Sequence, residues 1–378
     1  MPALIIFLLS AAYVGYVLFG YPIILGLLAR WRSRPVSRGP YEPTVSALLP
    51  VYNGEPWIAA KLESLLALDY PRDRLQIIVI SDGSTDRTEE IAMQYAAHGV
   101  ELLRLPRGGK AQALNAGMKC ASGEVLFLTD VRQPLEPDSL RNLTACLADP
   151  AVGAASGELV ILEDNTLEKA NVGLYWRYEK WIRKRLSQID SVLGATGAIY
   201  VIRKSLARPM PPSTLLDDVY LPLMAFFSGY RIIFEESAVA YDRATALNTE
   251  FRRKVRTLAG VYQIVRYFPH LIGFKNRMWF HFISHKIGRL FLPYALIALA
   301  ISSFWLPAPW RMFAIGSQAA FYALAAIDRR LPDSLPVKRL SSPARTFVVL
   351  VAAALCAIVI FFVPTRSLWK SAVGKAAA

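Results

Sequence analysis

The sequence predicts an α/β domain with a mostly parallel sheet, attached to a membrane by about four helices. Three observations carry that prediction. After residue 44, short β-branched runs alternate with helical periods, the pattern of strands joined by crossover helices that cover both faces of a sheet. Four apolar stretches approach the roughly 17 to 25 residues that cross a hydrocarbon core: Leu4 to Leu28, Leu290 to Leu306, Phe313 to Ile327 and Phe347 to Val363. The third reaches that length only if Arg311 snorkels. Of 378 residues, 54% are hydrophobic and only 19% charged, a balance that points to lipid as well as to a core.

The first stretch reads as a retained anchor and not a signal peptide. No Lys or Arg precedes it, its apolar run is long, and Arg30, Arg32, Arg34 and Arg38 follow it. By the positive-inside rule that cluster leaves the N-terminus outside and residues 30 to about 288 in the cytoplasm. Arg329, Arg330, Lys338, Arg339 and Arg345 make the segment after Ile327 cytoplasmic too, so the last helix exits, although Arg366, Lys370 and Lys375 oppose an outside C-terminus. The expected location is the cell (inner or plasma) membrane, multi-pass, with the large domain cytoplasmic. Cys120, Cys146 and Cys356 are scattered, with no zinc-like spacing and no even count for a disulfide framework. The net charge of +14 sits in clusters flanking apolar helices, where anionic lipid headgroups are a simpler partner than nucleic acid.

Along the chain, the Pro-rich "RPVSRGPYEPT" (34–44) separates the anchor from the domain. "TVSALLP" reads as strand, "EPWIAAKLESLLAL" as helix, "LQIIVIS" as strand and "DRTEEIAMQYAAH" as helix. "VELLRL" is then strand, "GKAQALNAGMKCA" helix and "EVLFLTD" strand. In sheets of this kind ligands bind at the carboxyl ends of the strands, so the residues to examine are Tyr52, Asn53, Asp82 and Asp130. From 164 to 188, "DNTLEKANVGLYWRYEKWIRKRLSQ" has helical spacing, with Tyr175, Trp176 and Trp181 among basic residues. It packs its aromatics on the domain or lies against headgroups. Tyr262 to Lys286 is richer still in aromatics and leads into a membrane helix, which favours the interfacial reading.

Several stretches carry chemistry-bearing residues. In "IIVISDGSTDRTEEIA", Asp82 ends a strand, Gly83 makes a tight turn, and Asp86 with Glu89 has the spacing of a capping box. An aspartate there often only satisfies turn amides; recurrence of polar residues at the next strand ends favours a site. "RGGKAQALNAG" sets Lys110 and Asn115 at a helix start, which attracts an anion such as a diphosphate, or is simply a solvated basic loop. "GATGAIYVIRKSL" offers Gly194 and Gly197 for close backbone approach and Thr196 as a hydroxyl contact. Asp217 and Asp218 head an apolar helix, as a cap or as a base for an incoming hydroxyl. "EFRRKVRTLAG" concentrates Arg252, Arg253, Lys254 and Arg256, for lipid contact or as a clamp on leaving phosphates.

In order, "LLPVYNGE", "VISDGSTD", "GGKAQALNAG", "FLTD", "GATGAIY", "LLDDVYL" and "RRKVRT" resemble the membrane-bound family 2 glycosyltransferases, the branch of cellulose, chitin, hyaluronan and poly-N-acetylglucosamine synthases. The resemblance spans about residues 44 to 260. It implies a GT-A fold and inverting transfer of a sugar from a nucleotide diphosphate sugar, expected to be a UDP-sugar. Tyr52, Asn53 and Asp82 would hold the nucleotide, with Asn115 among the donor groups, and Lys110 would reach the phosphates. Asp130 matches the first acid of the family's Asp-x-Asp, Asp218 its catalytic base, with Asp217 beside it, and Arg253 and Arg256 the Gln/Arg-x-x-Arg-Trp motif over the nucleotide. Gly194, Thr196, Gly197 and Thr257 would border the acceptor.

Two positions depart from that pattern. Thr257 replaces the motif's tryptophan, which weakens a claim of processive polymerisation. Arg132 stands where the second acid of Asp-x-Asp belongs. The expectation is that Asp130 still binds Mg2+ or Mn2+ together with diphosphate oxygens, that Arg132 faces the phosphates or braces the loop, and that Glu136 and Asp138 stand in reserve. The expected domains are an anchor (1–29), a basic linker (30–43), the GT-A domain (44–260), interfacial helices (261–287), membrane helices (288–364) and a tail (365–378). The expected role is exopolysaccharide or envelope-glycan synthesis on a saccharide acceptor, with partner subunits of an assembly system. A lipid acceptor, or a silent scaffold that binds nucleotide sugar, is the alternative.

Overall fold

The computed structural model describes residues 2–162, 167–243, 247–332 and 335–370. The expected helix start at 164–166 and the tail beyond 370 lie outside the described residues. The chain divides into two compact units: Trp31–Leu162 with Arg183–Arg243, and Met1–Arg30 with Glu163–Ile182 and Ala244–Ala378. The α/β unit thus closes at Arg243, short of residue 260, and most of the 164–188 segment groups with the apolar helices.

The α/β unit is built on seven strands: β1 (Val45–Val51), β2 (Leu75–Asp82), β3 (Val100–Leu105), β4 (Val125–Leu128), β5 (Val152–Leu162), β6 (Tyr200–Arg203) and β7 (Arg231–Arg243). Their order is β3-β2-β1-β4-β6-β5-β7. β1 pairs in parallel with β2 and β4, β2 with β3, and β5 with β7. Only β6 runs against its neighbours β4 and β5. Ala47, Leu48 and Leu49 of β1 are fully buried, so apolar residues on successive positions face helices on both sides. The helices are α1 (Glu55–Leu66), α2 (Thr88–Gln94), α3 (Lys110–Cys120), α4 (Ser139–Cys146) and α5 (Asp217–Phe227).

β1 to β4 and α1 to α3 follow the sequence reading to within a few residues at each end. The capping box does not form. Asp86 accepts from the Thr88 and Glu55 amides, but Glu89 turns away to Ser81 and Arg104 instead of reaching back. Chain direction reverses its progress across the sheet between β1 and β4, because β2 and β3 add on one side of β1 and β4 on the other. That switch point opens a crevice at the carboxyl ends of the strands. Antiparallel β6 feeds into the same edge from its N-terminal end, where Tyr200 lies opposite Leu128.

In the second unit three helices are long and apolar enough to cross a membrane: Pro2–Trp31, Trp279–Ser303 and Lys338–Phe361. The expected fourth, Phe313 to Ile327, is helical as Trp310–Ile327 but carries Arg311, Ser317 and Gln318. The second of these three helices begins at Trp279 and not near Leu290, taking in the end of the expected interfacial segment. It therefore includes His285 and Arg289, both turned to Glu179 on the Leu167–Ile189 helix.

Candidate active site

At the switch-point edge, the end of β4 and the starts of α3 and α5 bring charges together. Lys110, the first residue of α3, places its Nζ 2.8 Å from Asp130 Oδ1 and 2.9 Å from Asp217 Oδ2. Burial alone pulls this ammonium down, but Asp130, Asp217 and Asp218 outweigh it and hold Lys110 above its ordinary value. Asp218 Oδ2 accepts the Gly197 amide at 3.2 Å. A Cβ at Gly197 would lie 3.3 Å from Asp130 Oδ2 and 3.4 Å from Asp218 Oδ2, so only glycine leaves that space open. Gly194 adopts φ +130, and the next amide, Ala195, bonds the Asp218 carbonyl at 2.7 Å. Thr196 accepts from Arg183, and both bond Ser156.

Two buried groups of this cluster escape the sequence reading. Tyr200 is fully buried, and its hydroxyl has no hydrogen-bond partner among the described residues. Burial, with Asp217, Asp218 and Asp130 nearby, pushes its phenol well up, so it stays a hydrogen-bond donor. Lys61 of α1 is 1% exposed and donates to Thr129 Oγ1 at 2.6 Å and to the Gln133 carbonyl at 2.5 Å. Burial pushes it down to about 7, while Asp130 acts the other way. Both left a signal. Tyr200 closes the "GATGAIY" motif, and Lys61 interrupts the buried stripe of Ile58, Leu62 and Leu65.

The expected nucleotide-binding residues are placed with differing freedom. Asp82, 3% exposed, accepts Gly108 N at 2.7 Å and Gly109 N at 2.9 Å and is paired with Arg107. Its carboxylate therefore anchors the 107–109 loop. Arg107, not singled out from the sequence, stacks 3.7 Å over the Tyr52 ring, which is 43% exposed. Asn53, at φ +50, is clipped to Ser84 and Thr85. Both ends of the Asn115 amide engage the Met210 backbone, at 2.8 and 2.9 Å, so its immediate work is holding that loop.

Arg132 braces. Its Nη2 meets Asp242 Oδ2 of β7 at 2.5 Å, and Gln133 Nε2 joins the same oxygen at 2.9 Å. Glu136 accepts from Tyr241, while Asp138 precedes α4. The donor set for a divalent cation is accordingly thin: among the described residues no three His, Cys, Asp or Glu side chains converge on one point. Asp130, 37% exposed, fits as a single ligand of a cation that substrate oxygens hold, since Mg2+ and Mn2+ accept one or two carboxylates with phosphates.

Arg253, Arg256 and Thr257 belong to the Leu247–Tyr267 helix of the other unit. There Arg253 pairs with Glu250 at 3.5 Å, and Thr257 bonds back to the Arg253 carbonyl at 2.9 Å.

Comparison with known proteins gives a family match and distant relatives. Residues 46–209 match the family described as Glycosyl transferase family 2. A probable glycosyltransferase, YdaM of Bacillus subtilis, is 26% identical over 62% of this chain and 59% of its own length. An N-acetylglucosaminyltransferase of Rhizobium leguminosarum is 25% identical over 73% of this chain and 70% of its own. The poly-beta-1,6-N-acetyl-D-glucosamine synthase of Staphylococcus epidermidis is 25% identical over 58% of this chain and 55% of its own length. This chain therefore spans only part of these relatives. Among solved structures, a mannosyltransferase of Pyrobaculum calidifontis, in complex with GDP-Man and Mn2+, is 24% identical with a TM-score of 0.73, covering 97% of this chain and 99% of that one.

Proposed function

We propose that the chain is a family 2 glycosyltransferase of GT-A fold that moves N-acetylglucosamine from a UDP-sugar to a saccharide acceptor, with inversion, at the cytoplasmic face of a membrane. The carrying observation is the cluster of Lys110, Asp130 and Asp217 with Asp218 set against the Gly197 amide. It supplies the two charges the chemistry needs: a cation for the leaving diphosphate and a carboxylate for the attacking hydroxyl. The relatives named for N-acetylglucosamine transfer support the choice of sugar.

In the proposed step Asp218 takes the proton of an acceptor hydroxyl. The acceptor oxygen bonds to the anomeric carbon from the side opposite the diphosphate. The bond from that carbon to the diphosphate oxygen breaks, and the nucleoside diphosphate departs with the electron pair. Lys110, at the N-terminus of α3, meets the growing charge with its ammonium and the helix dipole. Asp217 holds Lys110 in place. Arg107 and the Tyr52 ring offer a flat, basic surface for the nucleotide. A divalent cation, when bound with the donor, would rest on Asp130 and supply further charge neutralisation.

The test is nucleoside diphosphate release by the full chain in lipid across UDP- and GDP-sugars, with a membrane glycan extract and with or without chelator. Release with UDP-N-acetylglucosamine is expected, and release with GDP-mannose alone would sink the donor assignment. Asp218→Asn should lower turnover by about 10² to 10⁴-fold, the usual worth of a general base, while donor binding persists. The second reading is a silent scaffold that binds nucleotide sugar, favoured by Arg132 in place of an acid. Unchanged glycan output in Asp218→Asn cells would favour it.

A further inference from the structure

The loop that meets Asp218 has little to stiffen it from within. Gly194 stands at φ +130 and Gly197 has no side chain, so residues 194–197 carry wide backbone freedom. Yet this loop sets the carboxylate. The Gly197 amide donates to Asp218 Oδ2 at 3.2 Å, and the Ala195 amide donates to the Asp218 carbonyl at 2.7 Å. The aim of Asp218 therefore depends on what fixes Thr196 between them.

Arg183 and Ser156 do so. Arg183 lies in the C-terminal part of the Leu167–Ile189 helix, on the stretch that belongs to the α/β unit. One end of its guanidinium fork donates to Thr196 Oγ1 and the other to Ser156 Oγ, the latter at 2.7 Å. Ser156 Oγ also accepts the Thr196 amide at 2.9 Å, so the side chain and the backbone of Thr196 are tied to the same pair of groups. A hydroxyl has two lone pairs, and Ser156 spends both here. The pair is itself firmly held. Ser156 is fully buried on β5, in register with Tyr200 on β6 and Phe234 on β7. The Arg183 guanidinium lies 4.8 Å over the Phe234 ring, and the Phe234 amide donates at 2.9 Å to Ser187 Oγ, one turn further along the same helix. Strand and helix hold Arg183, and Arg183 holds the loop.

A role in stability alone would ask only for some donor at this place. The planar fork does more, because it reaches two oxygens on different elements in one fixed geometry, which a lysine ammonium on its flexible stem does not. The last group in this series of contacts is the carboxylate assigned above as the base. We propose that Arg183 is a positioning residue for that base: with Ser156 it fixes Thr196 and the 194–197 loop, and the loop's Gly197 amide aims Asp218 at the acceptor hydroxyl. The inference rests on the assignment of Asp218 made above. Arg183 acts without touching substrate, so its loss should show in turnover and not in donor affinity.

The experiment compares R183K, Ser156→Ala and D218N with the unaltered full chain in lipid, with rates counted per molecule that binds UDP. R183K is expected to lower kcat about 10- to 100-fold, the scale of a misplacement of about 1 Å, with the Kd for UDP unchanged. Ser156→Ala should do the same, which keeps the test in force if R183K fails to fold. In the D218N background R183K should cost nothing more, since no base is left to aim. Unchanged kcat in R183K and Ser156→Ala, an equal further loss in the D218N background, or a loss confined to the Kd for UDP would each overturn the proposal. Hydrogen exchange adds a measurement that needs no turnover: the peptide covering residues 194–197 should exchange faster in R183K. Unchanged exchange there is the failure of the Arg183 contact alone. Absence of turnover in the unaltered chain is the failure of the transfer reading, and it takes the positioning role with it.

Discussion

At the scale of single residues, two of the groups that sequence reasoning overlooked, Lys61 and Tyr200, are buried polar ones. Lys61 has its ordinary value at 10.5 and is held at about 7 in the fold, chiefly by burial. The unfolded chain therefore binds more protons between those pH values. Stability from this group is full above about 10.5 and is lost as pH falls to about 7, so the melting temperature should rise with pH across that window. Lys61→Met should flatten this dependence and lower transfer, since Thr129 and Gln133 lose the donor that fixes the turn carrying Asp130. A slope that survives the substitution would mean Lys61 is not its source. Tyr200 makes a different prediction. Its hydroxyl has no protein partner among the described residues, so Tyr200→Phe should leave the melting temperature unchanged or raised. If substrate supplies the partner, kcat/KM falls about tenfold, near the worth of one hydrogen bond of about 1.4 kcal/mol. A lost melting temperature with unchanged rate would make Tyr200 structural only.

At the scale of elements, the position of Arg132 is explained by β7. The Asp242 carboxylate on that strand is 4% exposed, and Arg132 and Gln133 together answer it. Arg132→Ala should cost about 1 to 3 kcal/mol, because a buried acceptor loses its charged donor. The double change with Asp242→Asn should cost less than the sum of the singles, and strict additivity in denaturant melts would refute the pairing. This contact also marks where the sequence was legible. β1 to β4 could be read because apolar runs end at Asn53, Asp82 and Asp130 with helical periods between. β5 and β7 could not: "VGAASGELVIL" begins with small residues, and β7 carries Glu235, Glu236 and Ser237 in its middle. Their long parallel pairing depends on residues some eighty positions apart, as in Ala155 opposite Ile233, and no local pattern announces it. For the same reason Lys110, Asp130 and Asp217 could be named singly, while their convergence on one ammonium required the fold.

At the scale of the whole molecule, charge and apolar length define the setting. The chain combines a net charge of +14 with three helices long and apolar enough to cross a bilayer. The cluster at Arg30, Arg32, Arg34 and Arg38 begins in the last turn of the first of those helices and runs toward β1. If the positive-inside rule governs this helix, the α/β unit lies on the cytoplasmic side, where nucleotide sugars are made. Cys120, exposed at the end of α3 within that unit, is a natural reporter. In intact cells bearing the Cys356→Ser chain, a membrane-impermeant maleimide should leave Cys120 unlabelled and should label it after permeabilisation. Labelling in intact cells would invert the topology. The donor would then have to reach the Asp130 edge from outside, and a nucleotide-sugar reaction at that site would lose its supply. The orientation of a single apolar helix thus decides whether the chemistry assembled by the sheet can operate.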